Sequence, residues 1–228
     1  MNDTIAAISS AGGPIGLIRV SGEHAIEAVG AVFQTKSGRK LTEAPSQKLV
    51  YGTLHDKKGK VIDCCYAVAF HAPHTYTGEP MAELQCHGST AVLQLGLDAL
   101  FAQGVRQAEA GEFTRRAFLN GKLTLASAEG LIDMINGESE AEVRAGFMLY
   151  SERLTAQARS FQEEITELLA GIDADIDFPE EDIEHTDLKD IGKEIGRIDA
   201  QLQARLSTYR TGRKIMQGVS VVLAGKPN

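Results

Sequence analysis

The sequence predicts an α+β protein: a mixed α/β domain, then an all-α helical-bundle domain, then the first strand of a further domain. Three observations predict this. Short apolar runs alternate with turn signals up to residue 122; beyond it apolar residues recur at steps of three and four; and the chain closes on a β-branched run ending in Gly225. The boundaries that follow are 1–122, 123–214 and 215–228.

In the first domain, residues 5–8 and 15–20 are expected strands, separated by the turn-forming run Ser9-Ser10-Ala11-Gly12-Gly13-Pro14. Ser21 is expected to cap a helix reaching Phe33, with Ile26, Val29 and Phe33 at helical spacing. Residues 49–55 and 61–70 flank Asp56-Lys57-Lys58-Gly59, a hairpin signal. Residues 81–86 form a further strand, leading through His87-Gly88-Ser89 into a helix over 91–103 closed by Gly104. A short strand over 105–109 and a short helix over 112–119 complete the domain.

The second domain opens with a helix over 126–136. A single long helix is expected from Ser139, carrying Val143, Phe147, Tyr150, Leu154, Ala158, Phe161, Ile165, Leu168 and Ile172 as one stripe. Asp177-Phe178-Pro179-Glu180-Glu181-Asp182 interrupts the pattern. Leu188, Ile191, Ile195, Ile198, Leu202, Leu206 and Tyr209 then mark another helix. Two such helices pack antiparallel and leave part of each stripe uncovered, so further helices are expected to complete the bundle; closure by residues 126–136 alone is the alternative.

Of the 228 residues, 43% are hydrophobic and 24% charged, the composition of a globular chain with a core. No apolar run approaches the ~20 residues of a membrane span, and the N-terminus has no basic, then apolar, secretory pattern. Residues 1–122 hold 12 Lys and Arg against 11 Asp and Glu, and residues 123–228 hold 11 against 20. The acidic second half argues against broad nucleic-acid binding there. Cys64, Cys65 and Cys86 have no metal-like spacing and are read as reduced thiols of a cytoplasmic protein.

Near the C-terminus, Val219-Ser220-Val221-Val222-Leu223-Ala224-Gly225-Lys226-Pro227-Asn228 reads as a strand entering a P-loop. The complete motif cradles phosphate on backbone N–H groups and needs four residues after the first Gly, then Gly-Lys-Ser/Thr. Gly225, Lys226, Pro227 and Asn228 would open it, and the phosphate-binding Lys and Mg²⁺-binding Ser/Thr would lie further on. The chain is therefore expected to be the front portion of a longer protein.

Four ordered stretches make the reading specific: Gly-Pro-Ile-Gly-Leu-Ile-Arg-Val-Ser-Gly at 13–22, His-Thr-Tyr-Thr-Gly-Glu-Pro-Met-Ala-Glu-Leu-Gln-Cys-His-Gly at 74–88, Gly-Glu-Phe-Thr-Arg-Arg-Ala-Phe-Leu-Asn-Gly-Lys-Leu at 111–123, and Asp-Ile-Asp-Phe-Pro-Glu-Glu at 175–181. Over essentially its whole length the chain resembles the tRNA modification GTPase family MnmE, also called TrmE. One departure is Glu109-Ala110, where the family usually has Arg-Pro.

The resemblance implies a tetrahydrofolate-binding, dimerising domain followed by a helical domain interrupted by a Ras-like G domain. It implies a GTPase using GTP, Mg²⁺ and K⁺. With the FAD-dependent partner MnmG, this enzyme installs an aminomethyl or carboxymethylaminomethyl group at C5 of the tRNA wobble uridine. The one-carbon unit comes from a 5-formyl- or 5,10-methylene-tetrahydrofolate, and the active protein is a cytoplasmic homodimer. The GTPase residues and the family's C-terminal cysteine motif would lie past Asn228, and none of the three cysteines here replaces that motif.

Arg19, Glu83 and Lys122 match the family's folate contacts. A carboxylate such as Glu83 can accept paired N–H donors from a pterin edge, while Arg19 and Lys122 offer donors and charge to ligand oxygens. Without the resemblance, Arg19 reads as a solvated strand residue and Lys122 as surface; Glu83, between Ala82 and Leu84, requires a partner. His74, Tyr76, Thr77 and His87 are candidates for lining the pocket, His74, Tyr76 and Thr77 alternatively for facing tRNA. His87-Gly88-Ser89 is read either as an anion-binding helix start or as simple capping by Ser89. Arg115 and Arg116 could meet tRNA phosphate or form ion pairs. Asp173, Asp175, Asp177, Glu180, Glu181 and Asp182 read as a solvated acidic face rather than a cation site. Two other functions stay open: a stand-alone folate-dependent one-carbon transferase, and a fragment of an assembly GTPase binding RNA or ribosomes.

Overall fold

The computed structural model describes residues 3–177 and 188–208, with Val222, Ala224 and Gly225. Contacts divide the chain into two compact units, Met1–Leu123 and Thr124–Asn228. The class is α+β, with a mixed sheet and helices in the first and helices alone among the described residues of the second.

The first unit runs β1 (Ile5–Ser10), β2 (Ile15–Ser21), α1 (Ala25–Val32), β3 (Phe33–Thr35), a 3-10 turn (Leu41–Glu43), β4 (Leu49–His55), β5 (Val61–Phe70), β6 (Met81–His87), α2 (Thr90–Phe101), β7 (Arg106–Gln107) and α3 (Glu112–Leu119). The strands form one sheet in the order β3-β4-β5-β6-β2-β1-β7, antiparallel except where β7 joins β1. Strand alternation sends Ile18 and Val20 of β2, Ala82, Leu84 and Cys86 of β6, and Cys65, Ala67 and Ala69 of β5 into one buried core. Ile26, Val29 and Val32 of α1 and Leu93, Leu97 and Leu100 of α2 cover that face, each leucine contributing about 1.5–3 kcal/mol by burial. The opposite face is open in part: Ile15, Leu49, Tyr51 and Tyr66 are 43–67% exposed, whereas Ile5, Ser21 and Val68 are buried.

Several local expectations change. Ser21 does not cap α1; it ends β2, its hydroxyl fully buried against Thr77 and Glu79, and His24 occupies the N-cap instead. Phe33 leaves the helix to begin β3, because it pairs with Leu54 of β4. The strand over 105–109 shortens to Arg106–Gln107. Ser89 sits at the N-cap of α2 without a side-chain capping bond. The hairpin forms as expected, Asp56 accepting from the backbone N–H groups of Lys58 and Lys60 at 2.8 and 2.9 Å.

The second unit contains α4 (Leu125–Asn136), α5 (Glu140–Tyr150), α6 (Arg153–Asp177) and α7 (Leu188–Ser207). Thr124 caps α4, and Ser139 with Glu142 forms a reciprocal capping box on α5. The single long helix expected from Ser139 is two helices. Glu152 takes φ 58° and breaks the ladder, and its carboxylate accepts from Ser127 of α4 at 3.1 Å. The break lets α5 fold tightly on α4: a Cβ at Gly130 would lie 2.5 Å from the Gly146 carbonyl oxygen. Along α6 and α7, Phe161, Ile191 and Ile198 are buried, whereas Leu154, Ile165, Leu169, Ile176, Ile195 and Leu206 are more than half exposed. The stripes are thus only partly covered by one another. The Phe178–Asp182 break, Tyr209 and most of the expected terminal strand lie outside the described residues; Val222 and Gly225 are exposed and in no regular element. No helix among the described residues is long and apolar enough to cross a membrane.

Candidate functional site

The open face of the sheet gathers the polar residues that the sequence picked out. Arg19 on β2 and Glu83 on β6 stand directly opposite in the antiparallel register, so their side chains share a face. Arg19 Nε donates to Glu83 Oε1 at 2.8 Å, with the side chains 29% and 14% exposed. This ion pair is the partner that a carboxylate between Ala82 and Leu84 required. Among the described residues no hydrogen bond reaches Glu83 Oε2 or the terminal nitrogens of Arg19, so each group keeps capacity for a ligand. The guanidinium also lies 5.5 Å from the Tyr76 ring centroid and 5.9 Å from that of Phe113, which holds it in place by cation–π attraction.

The loop 71–80 supplies the second wall. Thr77 is fully buried, so its side chain does not line a pocket. Its hydroxyl meets Ser21 Oγ at 2.7 Å, and its carbonyl accepts from Asn120 Nδ2 at 2.7 Å. Tyr76 bonds through its hydroxyl to Thr114 Oγ1 at 2.9 Å. Gly78 has φ 81°, and a Cβ there would sit 3.2 Å from Asn120 and 3.4 Å from the Lys122 stem. Lys122 therefore lies beside this loop, with its charge exposed. The structure thus brings together Arg19, Glu83 and Tyr76, with Lys122 joined to them through the Thr77–Gly78 turn.

Two further candidates are engaged with other partners. His74 is exposed, and its carbonyl accepts from Gln47 at 3.4 Å. His87 lies four residues along β6 from Glu83, roughly 13 Å at strand rise, and its Nδ1 pairs with Asp63 at 2.8 Å. Of the P-loop candidates, Gly225 is exposed and Lys226, Pro227 and Asn228 lie outside the described residues.

Beneath the loop lies an ion-pair network that the sequence reading left open. Arg116 is 1% exposed and pairs with Asp3 at 2.7 Å, Glu79 at 3.1 Å and Glu112 at 3.2 Å. Arg106 joins Asp3 and Glu112 at 2.7 and 2.6 Å, and this hydrogen bond holds the Glu112 carboxyl down at about 2 despite burial. Glu79 also accepts from Ser21 at 2.9 Å, so the network pins the site loop to β2. Arg116 is hence a structural cation rather than a phosphate contact, and Arg115 pairs with Glu109 and Glu112 at 3.5 and 3.7 Å. Phe113, Asn120 and Glu79 escaped the sequence reading. The signal for them was their position inside the 74–88 and 111–123 motifs. No group of metal-ligating side chains occurs among the described residues.

A family profile described as "GTP-binding protein TrmE N-terminus" matches residues 4–122, and one described as "MnmE helical domain" matches residues 125–220. Curated proteins named "tRNA modification GTPase MnmE" align along the whole chain. The protein from Carboxydothermus hydrogenoformans is 39% identical over 231 residues, 100% of this chain and 50% of its own length. That from Alkaliphilus metalliredigens is 35% identical with the same coverage, and that from a Synechococcus strain is 38% identical over 99% of this chain and 50% of its own. The chain spans about half the length of these relatives. Two family profiles matched in sequence, one to each unit, and relatives that align along the whole of this chain leave one assignment: the chain belongs to the MnmE (TrmE) family.

Proposed function

We propose that this chain is the folate-binding, dimerising part of a cytoplasmic GTPase that modifies the wobble uridine of tRNA. The observation that carries the proposal is the Arg19–Glu83 pair, part-buried, with Glu83 Oε2 and the Arg19 terminal nitrogens unspent. A reduced pterin presents adjacent N–H donors that fit a free carboxylate oxygen. A formyl unit, where the folate carries one, and the glutamate tail offer oxygens that fit Arg19 and Lys122. The Tyr76 and Phe113 rings beside Arg19 add flat apolar surface suited to a planar ring. These residues fit a 5-formyl- or 5,10-methylene-tetrahydrofolate, whose role when bound is to supply a one-carbon unit.

GTP with Mg²⁺ and K⁺ would be held by a G domain of the kind whose P-loop opening Gly225, Lys226, Pro227 and Asn228 resemble in sequence. An FAD-dependent partner of the MnmG type would supply redox chemistry. Dimerisation through the first unit is supported by its open face, where Ile15, Leu49, Tyr51 and Tyr66 stand exposed.

Equilibrium dialysis of the purified chain against radiolabelled 5-formyl-tetrahydrofolate, with sedimentation on the same sample, tests the reading. Retained ligand on a dimer without GTP turnover is expected. A folded dimer that retains no folate contradicts it, as does GTP turnover by this chain.

A further inference from the structure

We propose that the groove at the β3 edge of the first unit binds the sugar–phosphate backbone of RNA. It measures about 950 Å³ and shares no lining residue with the Arg19–Glu83 site. Helix α1, β3, the loop 36–42 and the β4–β5 turn enclose it, and Arg39, Lys40 and Lys57 line it. In the sheet order, β3 stands three strands from β6, which carries Glu83, a separation of roughly 14 Å.

Charge is what sets this edge apart. Residues 36–60 hold seven of the 12 Lys and Arg in residues 1–122, against Glu43 and Asp56 in the same segment, and Glu27 of α1 also lines the groove. The Asp56 carboxylate is engaged by its own turn, accepting the Lys58 and Lys60 backbone N–H groups. All seven cations are exposed, and among the described residues none forms an ion pair. The unit's other cations are committed: Arg19, Arg106, Arg115 and Arg116 each pair with carboxylates, and Lys122 belongs to the folate site. A chain of net charge −8 thus carries seven cations without an ion pair among the described residues on the segment 36–60, three of them lining this groove.

The groove's shape is fixed by short polar bonds. Thr35 Oγ1, on a side chain buried in the edge strand, donates to the Arg39 carbonyl at 2.5 Å, and the Lys36 N–H donates to the Tyr51 carbonyl at 3.0 Å. These bonds order the loop that carries Arg39 and Lys40. Several exposed cations along one groove suit a phosphate backbone. A lipid surface would want large exposed apolar anchors, but the large apolar side chains lining the groove, Val32, Phe33 and Leu41, are 2–4% exposed. The choice of RNA among polyanions rests on the tRNA substrate proposed above.

The test uses the whole chain and a fluorescein-labelled, unmodified tRNA transcript, with binding followed by anisotropy from about 50 to 200 mM salt. The triple variant Arg39→Gln, Lys40→Gln, Lys57→Gln is compared with a control of equal charge change, Arg153→Gln, Arg159→Gln, Lys193→Gln. Three lost phosphate contacts should weaken binding at least tenfold and flatten the log K against log salt slope by roughly 2–3; the control should stay within twofold. An unchanged groove variant, an equally weakened control, or no RNA binding by wild type overturns the proposal. So does retention of wild type on phosphatidylserine vesicles without RNA binding. A 5-formyl-tetrahydrofolate titration of the groove variant separates the two sites. Folate binding kept while RNA binding falls is the expected pairing, and loss of both overturns the separation.

Discussion

Replacing Glu112 by Gln tests whether the buried network stabilises the first unit by charge. The Glu112 side chain is fully buried and accepts from Arg106 at 2.6 and 3.1 Å, from Arg116 at 3.2 Å and from the Glu109 N–H at 2.8 Å. These contacts lower its carboxyl from 4.5 to about 2, which corresponds to about 3 kcal/mol of stability at neutral pH. The folded-state value is depressed, so this contribution is complete above pH 4.5 and is lost as pH falls toward 2. Linkage places about 1.4 kcal/mol of the loss at pH 3.5. Glutamine keeps the shape but not the charge, and it leaves Arg116 short of one partner. The variant should therefore be about 3 kcal/mol less stable at pH 7, with the gap to wild type narrowing to about 2 at pH 3.5. Urea unfolding followed by tyrosine fluorescence reads this, since Tyr51, Tyr66 and Tyr76 lie in the first unit and the chain has no Trp. A gap that is absent at pH 7, or one equally wide at both pH values, refutes the charge argument.

Other perturbations read separate parts of the molecule. Gly130→Val places a side chain where even a Cβ meets the Gly146 carbonyl at 2.5 Å; parting α4 from α5 should cost about 2 kcal/mol or more, seen as an earlier helical melt by circular dichroism. Asn120→Ala removes the 2.7 Å bond to the Thr77 carbonyl, about 1 kcal/mol. It should raise the folate dissociation constant about fivefold while leaving the melt of the second unit unchanged. Cys64 is exposed and Cys65 and Cys86 buried, and the hydrogen bond to Cys86, with burial, pushes the Cys65 thiol far up. A thiol reagent should therefore label one cysteine in the native chain and three in urea.

Where the sequence reading succeeded, period and chemistry were local. The alternation through β2, β5 and β6 and the Asp56–Gly59 turn declared the sheet, and the steps of three and four declared α6 and α7. The errors came from contacts made at long range. Ser21 has the chemistry of an N-cap, yet its hydroxyl is taken by Thr77 and Glu79, 56 and 58 residues away. The apolar stripe from Val143 to Ile172 is continuous through Glu152, where the positive φ of that residue divides it into two helices. At the site, the isolation of Glu83 in an apolar strand foretold a partner. That the partner is Arg19 depends on the β2–β6 register, which spans 64 residues. Phe113 and Asn120 could not be assigned without knowing that α3 and its C-terminal turn return to the loop 71–80.

The most direct measurement of the folate reading is a calorimetric titration of 5-formyl-tetrahydrofolate into the wild-type chain and into Glu83→Ala. Binding by wild type that is abolished in a variant still folded and dimeric is the expected result. Equal binding by both proteins, or none by a well-folded dimeric wild type, would contradict the assignment of this site.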